Sequence, residues 1–157
     1  MLVLLLLILM PVVATAIKET AASVEAIQFL ETYAARQDTV ELPSGLLYRI
    51  LRDGAGGSPD LSTPCSCHYE GRLAANHPDG PTFDSSYARG APTTFAPNQV
   101  IKGWTEAMQL MKVGSKWELV CPPEIAYGPR AMGRKIPPSS VLVFTMEILS
   151  CKGATDL

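Results

Sequence analysis

The stretch "VIKGWTEAMQLM", Val100 to Met111, decides the fold of this chain. From Trp104 onward its apolar residues recur at helical spacing, so that Trp104, Ala107, Met108 and Met111 share one side. The segments before and after it follow instead the two-residue period of β-strands. The pattern predicts one short helix, Trp104 to Met111, that a sheet surrounds.

Six strands are predicted around this helix, each bounded by loops rich in Gly, Pro, Ser and Asp. They run from Leu46 to Arg52, Cys65 to Leu73, Thr82 to Ser85, Thr93 to Phe95, Ser115 to Cys121 and Val141 to Ser150. Apolar residues alternate with others in the last two, where Trp117, Leu119, Cys121, Leu142, Phe144, Met146 and Ile148 are predicted to face inward. Such alternation is typical of an antiparallel sheet with one buried face. The predicted fold class is α+β: a twisted antiparallel β-sheet of about five strands wrapped on one short α-helix.

A second helix is predicted ahead of this domain, from Thr20 to Arg36. Its apolar stripe recurs at helical spacing and consists of Val24, Ile27, Leu30 and Ala34, widened by Phe29 and Tyr33. Pro43 and the turn after it end the helical pattern, which marks a domain boundary. The stripe is suited to pair with a second copy or to pack on its own domain. We expect a monomer.

The first 16 residues, "MLVLLLLILMPVVATA", contain no charged side chain and end in the small residues Ala14, Thr15 and Ala16, as a cleaved signal peptide does. No Lys or Arg begins the segment, so an uncleaved anchor is the alternative. A spanning helix needs about 20 apolar residues, and this run is shorter and contains Pro11. We therefore predict a secreted protein with no stable membrane span after cleavage. It divides into a signal peptide (1–16), a helix and linker (17–42), a folded domain (43–152) and a tail (153–157).

The composition argues against nucleic acid as a partner. The chain has 157 residues, of which 47% are hydrophobic and 18% charged, and this suits one domain with an appendage. Its formal net charge is -2, and no cluster of Lys and Arg with interleaved aromatic residues occurs. We therefore expect no nucleic acid.

Four cysteines, Cys65, Cys67, Cys121 and Cys151, allow three fully paired disulfide schemes. Alternation along a strand puts Cys65 and Cys67 side by side on one face, where they bridge poorly to each other. In an oxidising compartment Cys65 and Cys151, near the ends of two long strands, are the favoured pair, and Cys67 and Cys121 are predicted to be buried thiols. A zinc site built from Cys65, Cys67 and His68 is disfavoured, since the same alternation points His68 away from both sulfurs.

The sequence lacks the common motifs of covalent and metal catalysis. It contains no G-x-S-x-G elbow, no Gly-rich phosphate loop and no H-E-x-x-H helix. Ser85 and Ser86 beside Asp84 would suit a hydrolase, but the two histidines lie on the outer face of a strand and in a turn-like loop. Aromatic and aliphatic residues concentrate instead at strand ends and in loops, around the single acid Asp84. An apolar cup with a few polar groups at its edge is the usual form of a small-ligand or peptide site.

Five segments carry a family resemblance: "CHYEGRL", "TFDSSYARGAPTTF", "QVIKGWTEAMQLMKVGSKWEL", "PPEIAYG" and "KIPPSSVLVFTMEIL". In order and spacing, from Leu46 to Lys152, they resemble the FKBP family of peptidyl-prolyl cis-trans isomerases. The preceding helix and the lead-in "LPSGLLYRILRDG" are similar to the exported macrophage infectivity potentiator (Mip) type. The resemblance implies an isomerase that acts on X-Pro bonds of peptides and proteins and assists folding or modulates partner proteins. It further implies inhibition by macrolides such as rapamycin and the need for no cofactor or metal.

The resemblance also implies a set of site residues. The family's hydrogen-bond donors to substrate carbonyls correspond to the backbone N–H of Ile101 and the hydroxyl of Tyr127. Asp84 would lie at the polar edge of the cup, and Trp104, entered through a tight turn at Gly103, would be its floor. The catalytic set is then Asp84, Tyr127, Ile101, Trp104 and Phe144, and the binding set is Tyr69, Phe83, Arg89, Phe95, Gln99, Val100 and Ile136.

Three positions, Thr93, Met132 and Lys135, depart from the common family pattern and alter the rim of this cup. The altered rim leaves a second interpretation open, namely a proline-motif binding module or holdase chaperone with weak isomerase activity. A third interpretation is a structural interaction domain in which the aromatic residues are ordinary core.

Overall fold

The structure, a computed structural model, describes residues 23–153. The predicted signal peptide and most of the tail lie outside the described residues. Within this part of the chain there are two α-helices: α1, of which residues 23–34 are described, and α2, Lys102–Leu110. The strands of the same part are β1 Val40–Glu41, β2 Leu47–Arg52, β3 Cys65–Leu73, β4 Asp84–Ser85, β5 Thr93–Phe95, β6 Lys116–Cys121 and β7 Leu142–Cys151. No helix among the described residues is long and apolar enough to cross a bilayer.

The strands of residues 23–153 form one antiparallel sheet in the order β1-β2-β6-β7-β3-β4, and β5 pairs with the beginning of β3. The predicted fold class is confirmed. Strand β1 was not predicted: Val40 pairs with Tyr48 and Glu41 with Leu47, so the sheet begins before Pro43. Two residues of alternating sequence are too short a pattern to indicate a strand, and β1 exists because β2 offers it an edge.

Helix α2 packs on one face of the sheet and forms the main core with it. The inward positions predicted for β6 and β7 are confirmed, since Trp117, Leu119, Cys121, Leu142, Phe144, Met146 and Ile148 are all buried. The side of α2 that was predicted to be apolar meets them with Trp104, Ala107, Met108 and Met111. Removal of apolar surface from water, at roughly 25 cal/mol per Å², stabilises this contact.

Part of the opposite face of the sheet is buried as well, where the pattern predicted only one buried face. Val120 and Val143, on the outward side of β6 and β7, lie beneath α1 and contact its fully buried Tyr33. The stripe predicted for α1 was partly wrong: Val24 and Ile27 are 46% and 55% exposed. The other four members of the stripe, Phe29, Leu30, Tyr33 and Ala34, pack on the sheet, because the helix turns that side of its surface toward the valines.

A polar contact fixes α1 to the sheet. The Tyr33 hydroxyl donates a hydrogen bond of 2.6 Å to Oε1 of Glu118, whose Oε2 lies 3.1 Å from Nε2 of His77. Arg49 forms an ion pair of 3.2 Å with the same carboxylate. Burial opposes ionisation of Glu118, but these partners outweigh it and hold the pKa of Glu118 below its usual value. The charge on the outer face of β6 is thus satisfied by α1 and its neighbours.

The cysteine predictions are confirmed. Cys65 and Cys151, which are directly paired in β3 and β7, form a disulfide, and Cys67 and Cys121 are buried free thiols. Burial raises the pKa of Cys67 to about 12, and the pKa of Cys121 is raised by the same cause. A zinc site on this strand would lack Cys65, whose sulfur is committed to the disulfide.

Candidate active site

The aromatic residues of α2 and the surrounding strands enclose an open cup. Its volume is about 400 Å³, within the roughly 300–1,000 Å³ range of small-ligand sites. The lining residues are Tyr69, Phe83, Asp84, Phe95, Gln99, Val100, Ile101, Trp104, Tyr127 and Phe144. All ten belong to the set that the sequence resemblance implied, although they come from five separate segments of the chain.

Trp104 is the floor of this cup. It is the third residue of α2, and only 6% of its surface is exposed. The ring centroids of Phe144, Tyr69 and Phe95 lie 4.9, 5.0 and 5.4 Å from the Trp104 ring, the first two edge-on. Edge-to-face packing of this kind fixes ring orientations. The neighbouring rings therefore hold the indole in one orientation at the bottom of the cup.

Gly71, which sequence reasoning did not single out, makes one wall of the cup possible. A Cβ atom at this position in β3 would lie 2.5 Å from Cζ of Phe83 and 2.8 Å from Cε1 of Phe144. The two rings pack edge-on at 5.7 Å over the bare backbone. A glycine in the middle of a predicted strand is a signal of such close approach, and "HYEGRL" carried that signal.

The role predicted for Gly103 was wrong. It is not a turn into the helix: Gly103 is the second residue of α2, and Ile101 is the extended residue before it. A Cβ atom on Gly103 would lie 2.7 Å from Sγ of Cys121 on β6. The glycine therefore lets the helix approach the sheet closely, and this approach sets the depth of the floor at Trp104.

The polar edge of the cup is a three-residue contact around Asp84. The Tyr69 hydroxyl donates to Oδ2 of Asp84 at 2.6 Å, and Arg89 forms an ion pair with the other carboxylate oxygen. Partial burial opposes ionisation of Asp84, but the hydrogen bonds from Tyr69 and Arg89 outweigh it, so the pKa of Asp84 lies below its usual range. Asp84 is consequently an oriented anion at neutral pH.

Several hydrogen-bond donors of the lining, the buried Trp104 Nε1–H among them, have no acceptor among residues 23–153, and two of these donors suit a carbonyl oxygen. The backbone N–H of Ile101 precedes the first turn of α2, and the Ile101 carbonyl accepts from Thr105 N–H at 2.9 Å. The Tyr127 hydroxyl is the second donor; burial and the nearby negative charge of Asp84 raise its pKa, so it stays protonated. Both donors are free for a bound carbonyl oxygen.

Gln99 lines the cup but also holds its own turn. Its Oε1 accepts from Ala96 N–H at 2.8 Å, while the Gln99 N–H donates to Ala96 O at 3.0 Å. This reciprocal pair closes the Pro97–Gln99 turn that leads into Val100 and Ile101. Gln99 therefore positions this turn, and its side-chain NH₂ group takes no part in the hydrogen bonds of the turn.

Two residues of the implied binding set do not line the cup. Ile136 is 5% exposed and packs in the main core, as the lining residues Trp104 and Phe144 also do, but it is not among the residues that line the cup. Arg89 lies outside the lining and acts through others: it donates to the Tyr69 hydroxyl at 2.9 Å and to Thr93 Oγ1 at 3.2 Å. Of the altered rim positions, Met132 is 49% exposed and Lys135 donates from Nζ to the Phe83 carbonyl at 3.1 Å.

The structure also brings His68 next to Ser86, with Nδ1 and Oγ 2.9 Å apart. Ser86 is fully buried, and its Oγ accepts from Tyr69 N–H at 2.8 Å and donates to Tyr69 O at 3.1 Å. A hydroxyl committed in this way to the backbone of β3 is not accessible to a substrate carbon. The pair is structural.

Comparison with known proteins identifies the relatives of this chain. A family model described as FKBP-type peptidyl-prolyl cis-trans isomerase matches residues 57–149. The chain is 50% identical over 125 residues to the macrophage infectivity potentiator of Trypanosoma cruzi, covering 79% of this chain and 62% of that protein. It is 46% identical over 129 residues to the FKBP-type 22 kDa peptidyl-prolyl cis-trans isomerase of Escherichia coli, covering 82% of this chain and 61% of that protein. The chain thus spans less than two thirds of the length of either relative.

Solved structures show the same fold. The peptidyl-prolyl cis-trans isomerase of Pseudomonas syringae matches with a TM-score of 0.74 and 37% identity, covering 85% of this chain and 95% of that chain. FkpA from Escherichia coli matches with a TM-score of 0.78 and 37% identity, covering 90% of this chain and 66% of that chain. On sequence and fold, the chain belongs to the FKBP-type peptidyl-prolyl cis-trans isomerase family and, within it, to the Mip type.

Proposed function

We propose that this protein is a peptidyl-prolyl cis-trans isomerase that accelerates rotation about X-Pro bonds in peptides and proteins. The observation that carries the proposal is the apolar cup, in which Trp104 is the floor and the Ile101 N–H and Tyr127 hydroxyl are free donors. Membership of the FKBP family supports the same activity.

The chemistry fits a site without a nucleophile. Rotation about an X-Pro bond meets a barrier of about 18–20 kcal/mol, which arises from amide resonance. Water stabilises the planar, charge-separated form, and an apolar cup does so less. When a proline ring lies on Trp104, the planar X-Pro amide loses stabilisation by water, while the twisted amide, which depends on it less, loses little. The barrier to rotation falls, and no covalent bond is formed or broken.

Each polar group of the cup has a proposed part in this rotation. The donors at Ile101 and Tyr127 hold carbonyl oxygens on one side of the bond while the other side turns. Asp84, oriented by Tyr69 and Arg89, supplies a fixed negative charge at the edge of the cup. Every ~1.4 kcal/mol of difference between the planar and twisted states changes the rate tenfold, so a few such contacts suffice.

Exchange between cis and trans forms of a short X-Pro peptide, followed by NMR without a coupled protease, tests the proposal. We expect catalysis by the wild type that rapamycin inhibits. Tyr127→Phe removes one donor and is expected to lower kcat/KM about tenfold, while Asp84→Ala lowers it through loss of the oriented charge. Circular dichroism should be unchanged in both. Exchange at the uncatalysed rate, or wild-type activity in both variants, would contradict the mechanism.

The exposed Met132 and the Lys135 contact at the rim favour a second candidate, a proline-motif binding module or holdase with weak isomerase activity. A proline cup binds without needing to turn its ligand over. The exchange experiment separates the two, because a binding module would take up rapamycin and proline peptides while leaving the exchange rate close to that of the free peptide.

We further propose that the protein is secreted, monomeric and sensitive to macrolides, and that it assists folding or modulates partner proteins. The Cys65–Cys151 disulfide supports an oxidising compartment. The burial of Tyr33 against its own sheet supports a monomer, because this face of α1 packs within the chain and is not available to a second copy. Sequencing the N-terminus of the mature protein tests cleavage after Ala16, the proposed end of the signal peptide (1–16). Light scattering tests the monomer.

A further inference from the structure

A loop of concentrated positive charge borders the cup. Residues 128–139 carry Arg130, Arg134 and Lys135 and contain no acidic residue, in a chain whose formal net charge is -2. All three side chains are exposed. None of them forms an ion pair with any residue between 23 and 153. The loop therefore presents three uncompensated cations.

Backbone contacts hold this loop, here called the basic loop, in place beside the cup. Its base is closed by Ser139 N–H, which donates to Gly128 O at 2.9 Å, and its tip by Met132 N–H, which donates to Ile136 O at 3.0 Å. Tyr127, which lines the cup, directly precedes it. On the other side, Lys135 Nζ reaches the carbonyl of Phe83, a second lining residue, at 3.1 Å. The basic loop is thus anchored next to two residues that line the cup, Tyr127 and Phe83.

The acid that lines the cup does not neutralise the basic loop. Asp84 is paired with Arg89 and accepts from the Tyr69 hydroxyl. A polypeptide bound through an internal proline must leave the cup in both directions and pass its rim. Each extended residue covers about 3.3 Å, and charges act over a Debye length of about 8–10 Å, so roughly three residues on either side of the proline lie within reach of the loop.

From this arrangement we infer that the site prefers acidic proline-containing segments, in which Asp or Glu stands within about three residues of the proline. The inference rests on the proposed isomerase function and names its substrate class. The basic loop attracts such segments and repels segments with Lys or Arg at the same places. Trp104 and the two free donors still act on the proline and its carbonyls.

The experiment compares peptides that differ in one side chain. An Ala-Pro peptide carries Glu, Gln or Lys two residues before the proline, and a second series carries them two residues after it. The measured quantity is kcat/KM from NMR exchange. We expect at least one series in which Glu exceeds Gln by about two- to fivefold at low ionic strength, with Lys below Gln, and the ratios approach one at about 0.5 M salt.

Two matched variants assign the effect to the loop. R130Q/R134Q removes two charges from it, and K112Q/K152Q removes two from exposed lysines that do not line the cup, so both change the net charge equally. The Glu-to-Gln ratio should fall toward one in R130Q/R134Q and persist in K112Q/K152Q. Ratios near one in both series of the wild type, or an equal fall in the two variants, would overturn the inference. Turnover of the Gln peptide reports separately on the proposed function, which fails if no peptide is isomerised.

Discussion

Gly71→Ala is a sharp test of how the cup is built, because it adds one methyl group beneath two of its walls. The new Cβ would lie 2.5 Å from Cζ and 2.7 Å from Cε2 of Phe83, and 2.8 Å from Cε1 of Phe144. Ordinary carbon contacts lie at about 3.5–4.0 Å, so the rings must retreat by roughly 1 Å. Neither ring retreats freely, since Phe144 also packs at 4.9 Å against Trp104.

The expected cost has two parts. Overpacking of this size destabilises by about 1–3 kcal/mol, which corresponds to a fall in Tm of roughly 3–12 °C for a domain of this size. The loss of activity should exceed what the loss of stability explains, because a shift of about 1 Å in a wall that positions the substrate changes rates by up to 10²-fold. We expect kcat/KM for an X-Pro peptide to drop at least about tenfold at a temperature where the variant is fully folded.

Gly57→Ala is the matched control, since no atom lies within 4 Å of a Cβ at Gly57. It should change the free energy of unfolding by less than about 0.5 kcal/mol and leave kcat/KM unaltered. Urea unfolding and NMR exchange, measured on both variants at one temperature, provide the comparison. If Gly71→Ala matched Gly57→Ala in both measurements, the contact of Phe83 and Phe144 over a bare backbone would not be what shapes the cup.

Three further outcomes are expected. Glu118→Gln should lower the free energy of unfolding at pH 7 by about 1–3 kcal/mol. Because the pKa of this carboxylate is lower in the folded protein, its contribution to stability is present above the unfolded pKa near 4.5 and is lost as the pH falls through the folded pKa. Urea unfolding should therefore show the difference between variant and wild type becoming smaller in acid. Thiol counting on denatured protein should find two thiols without reductant and four with it, and four in both samples would remove the Cys65–Cys151 bridge. Rapamycin should change the fluorescence of Trp104, which lines the cup, but not of Trp117, which lies in the core. Trp104→Phe should therefore abolish most of the fluorescence response, and Trp117→Phe should preserve it. The reverse pattern would contradict the assignment of Trp104 to the floor and Trp117 to the core.

Periodicity alone located the elements that build the site. The helical spacing from Trp104 to Met111 and the alternation from Trp117 to Cys121 each predicted the buried side correctly, because side-chain direction follows backbone geometry within one element. The pairing of two cysteines likewise followed from their places at the ends of long strands. The membership of the cup came from the family resemblance, since no local pattern joins Tyr69 to Tyr127.

Tertiary structure decided what covers each surface and how closely elements approach. The alternation of β6 and β7 puts Val120 and Val143 on the outward face, but their burial there requires α1, which is more than 80 residues away in sequence. The resemblance put Ile136 in the binding set, whereas the structure places it in the main core outside the lining of the cup. The need for a bare backbone at Gly71 arises from two rings that meet over it, those of Phe83 and of Phe144, the latter 73 positions further along the chain. Such contacts depend on the summed packing of the whole sheet and helix, and no stretch of sequence shorter than the fold contains that information.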